Sequence, residues 1–149
     1  MIQVIYISDS NKHFDSAIQE YLKRLTWKVK LVKLKPTKWW ETKIIIDKDT
    51  QTINNFLKKQ NGFNILLSLD WKQFDSLSFA KFLGKKMDYW ENINFIIWGA
   101  FWLDETKLEK IDYKIKLSDF TFPHSLALLL ILEQVYRALQ IIWWRKYHY

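Results

Sequence analysis

The sequence predicts an α/β domain built on a mainly parallel sheet flanked by helices. Three observations predict it. Strand-like and helix-like stretches alternate along the whole chain. Ile93 to Ile97 is a continuous apolar run, the pattern of a parallel strand covered on both faces. No internal repeat and no compositional break divides the 149 residues, so a single domain over 1–149 is expected.

Gln3 to Ser8 reads as a buried first strand. A helix near His13 to Leu25 follows, with Phe14, Ala17, Ile18, Tyr21, Leu22 and Leu25 at helical spacing. Lys28 to Leu34 largely alternates, and its lysines place it near a sheet edge. Residues 35 to 43 read as a loop, and a helix lies within Ile44 to Lys59. Gly62 breaks the chain before a third strand, Asn64 to Asp70. Asp75 or Ser76 can cap the next helix, which runs to about Met87. After the Ile93 to Ile97 strand comes Trp98-Gly99-Ala100-Phe101-Trp102, then a short helix expected over Asp104 to Ile111. Lys114 to Leu117 is a short fifth strand.

The last helix is expected from Pro123 to about Ile142, because proline suits the first turn, where its missing N–H has no intrahelical partner. Leu126 to Leu132 is apolar all round, which marks a buried helix. That run is far short of the roughly 20 residues of a membrane span, so no membrane partner is expected. Glu133 and Arg137 form an i,i+4 pair of favourable orientation. Arg145-Lys146-Tyr147-His148-Tyr149 then forms a cationic, aromatic tail, and such an ending points to a site, since free ends are normally plain and polar.

Lysine and arginine total 23 against 16 acidic residues, a formal charge of +7. That favours polyanionic partners, nucleic acid first. The absence of cysteine excludes disulfides and thiolate chemistry. Three scattered histidines offer no metal site. Met1 leads straight into a strand with no basic-then-apolar leader, so a cytoplasmic protein is expected. Neither GxGxxG nor GxxxxGK[ST] is present, so an ordinary dinucleotide or NTPase site has no support. In open α/β sheets ligands bind outside the carboxyl ends of strands. Here those segments are Asp70 onward, Trp98 to Trp102 and Leu117 to Phe122.

Several of these stretches together resemble one family. They are Glu20-Tyr21-Leu22-Lys23-Arg24-Leu25, Leu67-Ser68-Leu69-Asp70, Ile96 to Leu103, Thr121-Phe122-Pro123-His124, Leu132 to Ala138, and the terminal Tyr147-His148. In this order and spacing the chain resembles the RlmH family of large-subunit ribosomal RNA pseudouridine N3-methyltransferases, small members of the SPOUT superfamily. The resemblance implies a C-terminal trefoil knot, a homodimer, and S-adenosylmethionine held in the knot. It implies a substrate pseudouridine in 23S ribosomal RNA, methylated at N3 on the assembled ribosome. Carried over by residue, the cofactor positions are Leu67, Trp98, Leu117, Ser118, Asp119, Phe120, Thr121 and Phe122. His148 and Tyr147 are expected beside the reacting base, with Arg137 the third catalytic candidate, and Arg137, Arg145 and Lys146 suit phosphate contacts. His124 reads better as a structural histidine at the helix start, and Arg137 could equally serve only to pair with Glu133. Tyr149 stands where the family commonly has lysine or arginine.

Trp71, Trp98, Trp102 and Trp144 stand where the family carries glycine. Average usage predicts about ten glycines in this length; there are three, and three glycines plus nine tryptophans make twelve. Two readings follow. Either this is a degenerate homologue that binds RNA without catalysis, or a UGA codon that means glycine in some bacteria has been read as tryptophan. Glycine at such positions permits close backbone approach and positive φ, so the literal sequence is expected to be overpacked at all four.

Overall fold

The computed structural model describes residues 1–11, 13–26 and 28–147, with side chains as far as Trp144. Five strands form one sheet: β1 (Ile2–Ile7), β2 (Val29–Leu34), β3 (Phe63–Leu67), β4 (Ile93–Ile97) and β5 (Tyr113–Ile115). Their order is β2-β1-β4-β3-β5, and every pairing is parallel. The central β3 and β4 are buried throughout, which is why they read as unbroken apolar runs. The edge strand β2 alternates instead, with Lys30 and Lys33 exposed.

Four helices cover the sheet: α1 (Asp15–Arg24), α2 (Thr42–Lys58), α3 (Ser76–Tyr89) and α4 (His124–Tyr147). Asp75 caps α3 by accepting the Ser78 N–H at 2.7 Å. Helix α4 packs on α1 and α3 and also meets β4. Its Ala127, Leu128, Ile131, Leu132, Val135, Ala138 and Leu139 are buried in the core. Helix α2 meets the connection between β4 and β5, where Asn54 donates to the Lys107 carbonyl at 2.8 Å and accepts the Glu109 N–H at 2.8 Å.

Two expectations are corrected here. The helix expected over Asp104 to Ile111 is only a 3-10 turn, Glu105–Lys107. The backbone beyond it binds side chains of neighbouring elements instead: Glu109 N–H to Asn54, Lys110 carbonyl to Asn64, with Lys110 itself at φ 57°. The last helix does not stop near Ile142 but continues to Tyr147, since nothing in Trp143 to Tyr147 breaks a helix. Arg145, Lys146 and Tyr147 therefore lie on α4 rather than in a separate tail. The membrane argument changes as well. His124–Trp144 is long and apolar enough to cross a bilayer by length and composition, so run length alone did not exclude a span. The fold puts one whole side of that helix into the domain core.

Candidate functional site

All five strands point their carboxyl ends the same way, and the segments leaving them build the site. The β5 edge and the end of β1 are separated by β3 and β4. The chain from Lys116 to Pro123 crosses that gap, because His124 Nε2 lies 3.3 Å from Ser8 Oγ, just past β1. Ser125 Oγ donates to Asn11 Oδ1 at 3.1 Å and fixes the same junction. His124 is thus structural, as read. Burial pushes its pKa below the ordinary histidine value. Gly99 belongs to this junction too. A Cβ there would sit 3.2 Å from the Ile7 carbonyl oxygen, so glycine lets the loop after β4 lie close against the end of β1 without either having to shift.

Within the crossing segment, Ser118 Oγ accepts the Phe120 N–H at 3.0 Å, a local turn made by a serine hydroxyl. Gln73 Nε2 donates to the Leu117 carbonyl at 3.4 Å, and Asp119 pairs with Lys116. Beneath the segment lies a cavity of about 470 Å³ between β5, the start of α3 and α4. Leu117, Ser118 and Phe122 line it, together with Phe74, Phe79, Ile131, Lys116, Ser76 and Gln134. Ser76 Oγ donates to Gln134 Oε1 at 3.0 Å across its wall.

Of the eight cofactor positions carried over, three therefore face one cavity: Leu117, Ser118 and Phe122. Asp119, Phe120 and Thr121 are exposed on the outer side of the same segment. Leu67 and Trp98 do not line the cavity. Leu67 is fully buried beside Ile115 in the sheet. Trp98 is buried and stacks on Trp102, with ring centroids 4.6 Å apart. Sequence reading missed Phe74, Phe79, Ser76 and Gln134 as wall residues. The pair Ser76 and Gln134 lies 58 residues apart, and no spacing rule joins them.

The expectation of four overpacked tryptophans is corrected. Trp71, Trp102 and Trp144 are 53%, 40% and 70% exposed, and a surface indole needs no room in the core. Among the described residues only Gly62 and the non-glycine Lys110 have positive φ, so none of the four tryptophans is held in the left-handed region. The steric question is confined to Trp98.

Arg137 is half-exposed on α4, and its Nη2 lies 2.6 Å from Glu133 Oε1. The carboxylate raises the guanidinium pKa and holds the charge in place. Both readings of Arg137 survive, since a paired but exposed arginine can still meet phosphate. The ends of α4 are far apart. At 1.5 Å per residue, 24 residues put Tyr147 about 35 Å from His124. Lys28, just before β2, lies 5.2 Å from the Trp143 ring, which locates that end beside the amino ends of the strands. The side chains of Arg145, Lys146 and Tyr147, and the whole of His148, lie outside the described residues.

A family model described as predicted SPOUT methyltransferase matches residues 1–148. The chain belongs to the SPOUT methyltransferase family. Three relatives carry the name ribosomal RNA large subunit methyltransferase H. The one from Fusobacterium nucleatum is 37% identical over 142 residues, covering 93% of this chain and 92% of its own. The one from Mycoplasmopsis pulmonis is 34% identical over 149 residues, with 99% and 98% covered. The third, from Pseudothermotoga lettingae, is 32% identical over 151 residues, with 99% of both chains covered. The motif resemblance to the RlmH group is thereby shown. The all-parallel sheet agrees with a SPOUT fold, whose knot the resemblance assigns to the C-terminal segment, the one that crosses the strand ends here.

Proposed function

We propose that this SPOUT protein is an S-adenosylmethionine-dependent methyltransferase that methylates N3 of a pseudouridine in 23S ribosomal RNA. The observation that carries the reading is the match over 99% of this chain to relatives named as ribosomal RNA large subunit methyltransferases, with the Leu117 to Phe122 segment set over a ligand-sized cavity. At about 470 Å³ the cavity lies within the range of small-ligand sites, roughly 300–1,000 Å³, and its apolar walls with a few polar groups are typical of them. The residues fit the cofactor at Leu117, Ser118 and Phe122, where Phe74 and Phe79 offer apolar surface and Ser118 a hydroxyl. Trp98, where the resemblance implies a cofactor-contacting glycine, is buried outside this cavity and carries an indole that such a contact would have to accommodate. The bound cofactor supplies an electrophilic methyl on a sulfonium.

The protein's contribution is then placement and proton removal. As the N3–CH3 bond forms, the N3–H bond must break, and His148 is assigned to accept that proton because imidazole titrates near neutral pH. Tyr147 is assigned to stack on the base, while Arg137, Arg145 and Lys146 hold phosphates. Holding the reactants in line supplies most of the rate. Tyr147 lies 13 residues beyond the cavity-lining Gln134, about 20 Å farther along α4, so in this reading the two meet at one base through different subunits. The reading therefore includes a homodimer in which the α4 end of one subunit completes the other's site. It also includes the family's knot, formed as α4 follows the crossing segment, and action in the cytoplasm.

The test is transfer of labelled methyl from S-adenosylmethionine to ribosomes lacking the modification, followed by nucleoside analysis. Methyl on pseudouridine N3 is the expected result. Tight RNA binding with no cofactor binding would replace the enzyme by the non-catalytic RNA-binding reading.

A further inference from the structure

The carboxyl end of the edge strand β2 carries a second feature, separate from the cavity. A groove of about 590 Å³ opens there, with Lys33, Lys35, Lys38, Ser8 and Asp9 on its walls. Lys33 Nζ donates to the Asp9 carbonyl at 2.7 Å, and Lys38 stands 3.9 Å from the Asp9 carboxylate with 79% of its side chain exposed. Lys43, five residues after Lys38 in the chain, is exposed in the first turn of α2. Among the described residues Lys35 and Lys43 are exposed and have no carboxylate partner. Asp9 and Glu41 are the exposed acids beside these four cations, while Asp49 is buried beneath the loop and Asp47 pairs with Lys107.

The strip is built rather than loose. The Thr37 N–H donates to the buried Asp49 carboxylate at 2.8 Å, which ties the loop to α2. Trp39 and Trp40 stack at 4.1 Å with their planes 21° apart, and Lys48 Nζ lies 5.4 Å from the Trp39 ring. The other face of Trp40 is open, since that residue is 83% exposed. Lysines tracking a groove beside an open aromatic face make the combination by which proteins hold single-stranded nucleic acid. The groove is also continuous with the site, because its Ser8 is the residue that holds His124, two positions beyond Phe122.

We propose that this strip is a second RNA contact: Lys33, Lys35, Lys38 and Lys43 hold the phosphodiester backbone of the substrate, and Trp40 stacks on an unpaired base. The proposal rests on the RNA-modifying reading, and its lysine half is independent of what stands at position 40.

The experiment titrates the full-length protein with a fluorescent single-stranded RNA over a range of salt. The triple variant Lys35→Gln, Lys38→Gln, Lys43→Gln is expected to reduce the slope of log K against log salt by about 2, from roughly 0.7 per lost phosphate contact on a single strand. Its melting temperature and cofactor titration are expected to match the parent's, since none of the three touches the core or the cavity. Trp40→Gly is expected to weaken binding roughly 5- to 150-fold, the loss of one base–aromatic stack, with the slope unchanged. A triple variant with the parent's slope overturns the phosphate strip, and an unweakened Trp40→Gly overturns the stacking contact. Binding to vesicles of mixed neutral and anionic phospholipid that is as tight as RNA binding, and lost in the triple variant, would reassign the surface to membrane. Methyl transfer is read separately. A parent that shows the lysine-dependent slope but transfers no methyl defeats the enzyme reading and leaves the strip standing.

Discussion

At the scale of single residues, Trp98 decides the most. Its indole is buried and stacks on Trp102, outside the cavity walls, at a position where the resemblance implies glycine. Removing a buried indole typically costs about 3–5 kcal/mol, because the lost contacts are only partly recovered by collapse. Trp98→Gly is therefore expected to lower the melting temperature while increasing affinity for S-adenosylmethionine. Thermal melts and calorimetric titration measure the two effects on one sample. Tighter binding with lower stability is the signature of a plug removed; unchanged affinity would show that the indole obstructs nothing. Replacing Trp71, Trp102 and Trp144 by glycine is expected to matter much less, since all three are substantially exposed. His148 is tested at the same scale. His148→Ala is expected to keep cofactor binding and lose most transfer, and full transfer by the variant would remove it from the mechanism.

At the scale of elements, the junction between β1 and α4 controls where Leu117 to Phe122 can lie. His124 is held there against Ser8, and burial depresses its pKa. A base whose folded pKa is depressed binds fewer protons when folded than when unfolded, so its charging opposes folding. The stability it permits is complete above the ordinary histidine pKa, near 6.5. That stability falls as pH drops from there toward the lower folded value. The melting temperature of the parent is expected to decline on acidification through that window, and His124→Asn to decline less. Equal declines would mean that other groups set the acid limit. Helix α3 has its own acid sensitivity. The Ser78 N–H and hydroxyl hold the Asp75 carboxyl below its ordinary value, so the cap contributes above that ordinary value and is lost as pH falls through the depressed one.

At the scale of the whole molecule, the length of α4 bears on the proposed homodimer. About 20 Å of α4 separates the cavity-lining Gln134 from Tyr147, and a rigid helix cannot fold back on itself. A two-fold dimer resolves this, since each α4 end can then reach the partner's cavity. Sedimentation at micromolar concentration is expected to show a dimer rather than an 18.2 kDa species. Complementation is the stricter test. A His148→Ala chain mixed and reassembled with a Ser118→Trp chain, each inactive alone, is expected to recover about a quarter of parental transfer. Half of the dimers would be mixed, and each would hold one intact site. No recovery, with mixed dimers present, would place both groups on one subunit.

How much of this was legible beforehand differs by physical cause. Local periodicity wrote the parallel sheet, because β3 and β4 are buried on both faces and β2, at the edge, must alternate with lysine. Local chemistry likewise wrote the Asp75 cap and the Glu133–Arg137 pair, whose partners lie three and four residues away. The family motifs pointed to the Leu117 to Phe122 segment, a contiguous stretch of which Leu117, Ser118 and Phe122 line one cavity. The short helix after Asp104 failed because Asn54 and Asn64, distant in sequence, bind that backbone instead. The cavity walls were hidden for the same reason: Ser76 meets Gln134 only when α3 and α4 pack. Exposure was hidden too. An indole costs core volume only where the packed fold surrounds it, and the tertiary structure alone put Trp98 inside and Trp71, Trp102 and Trp144 at the surface.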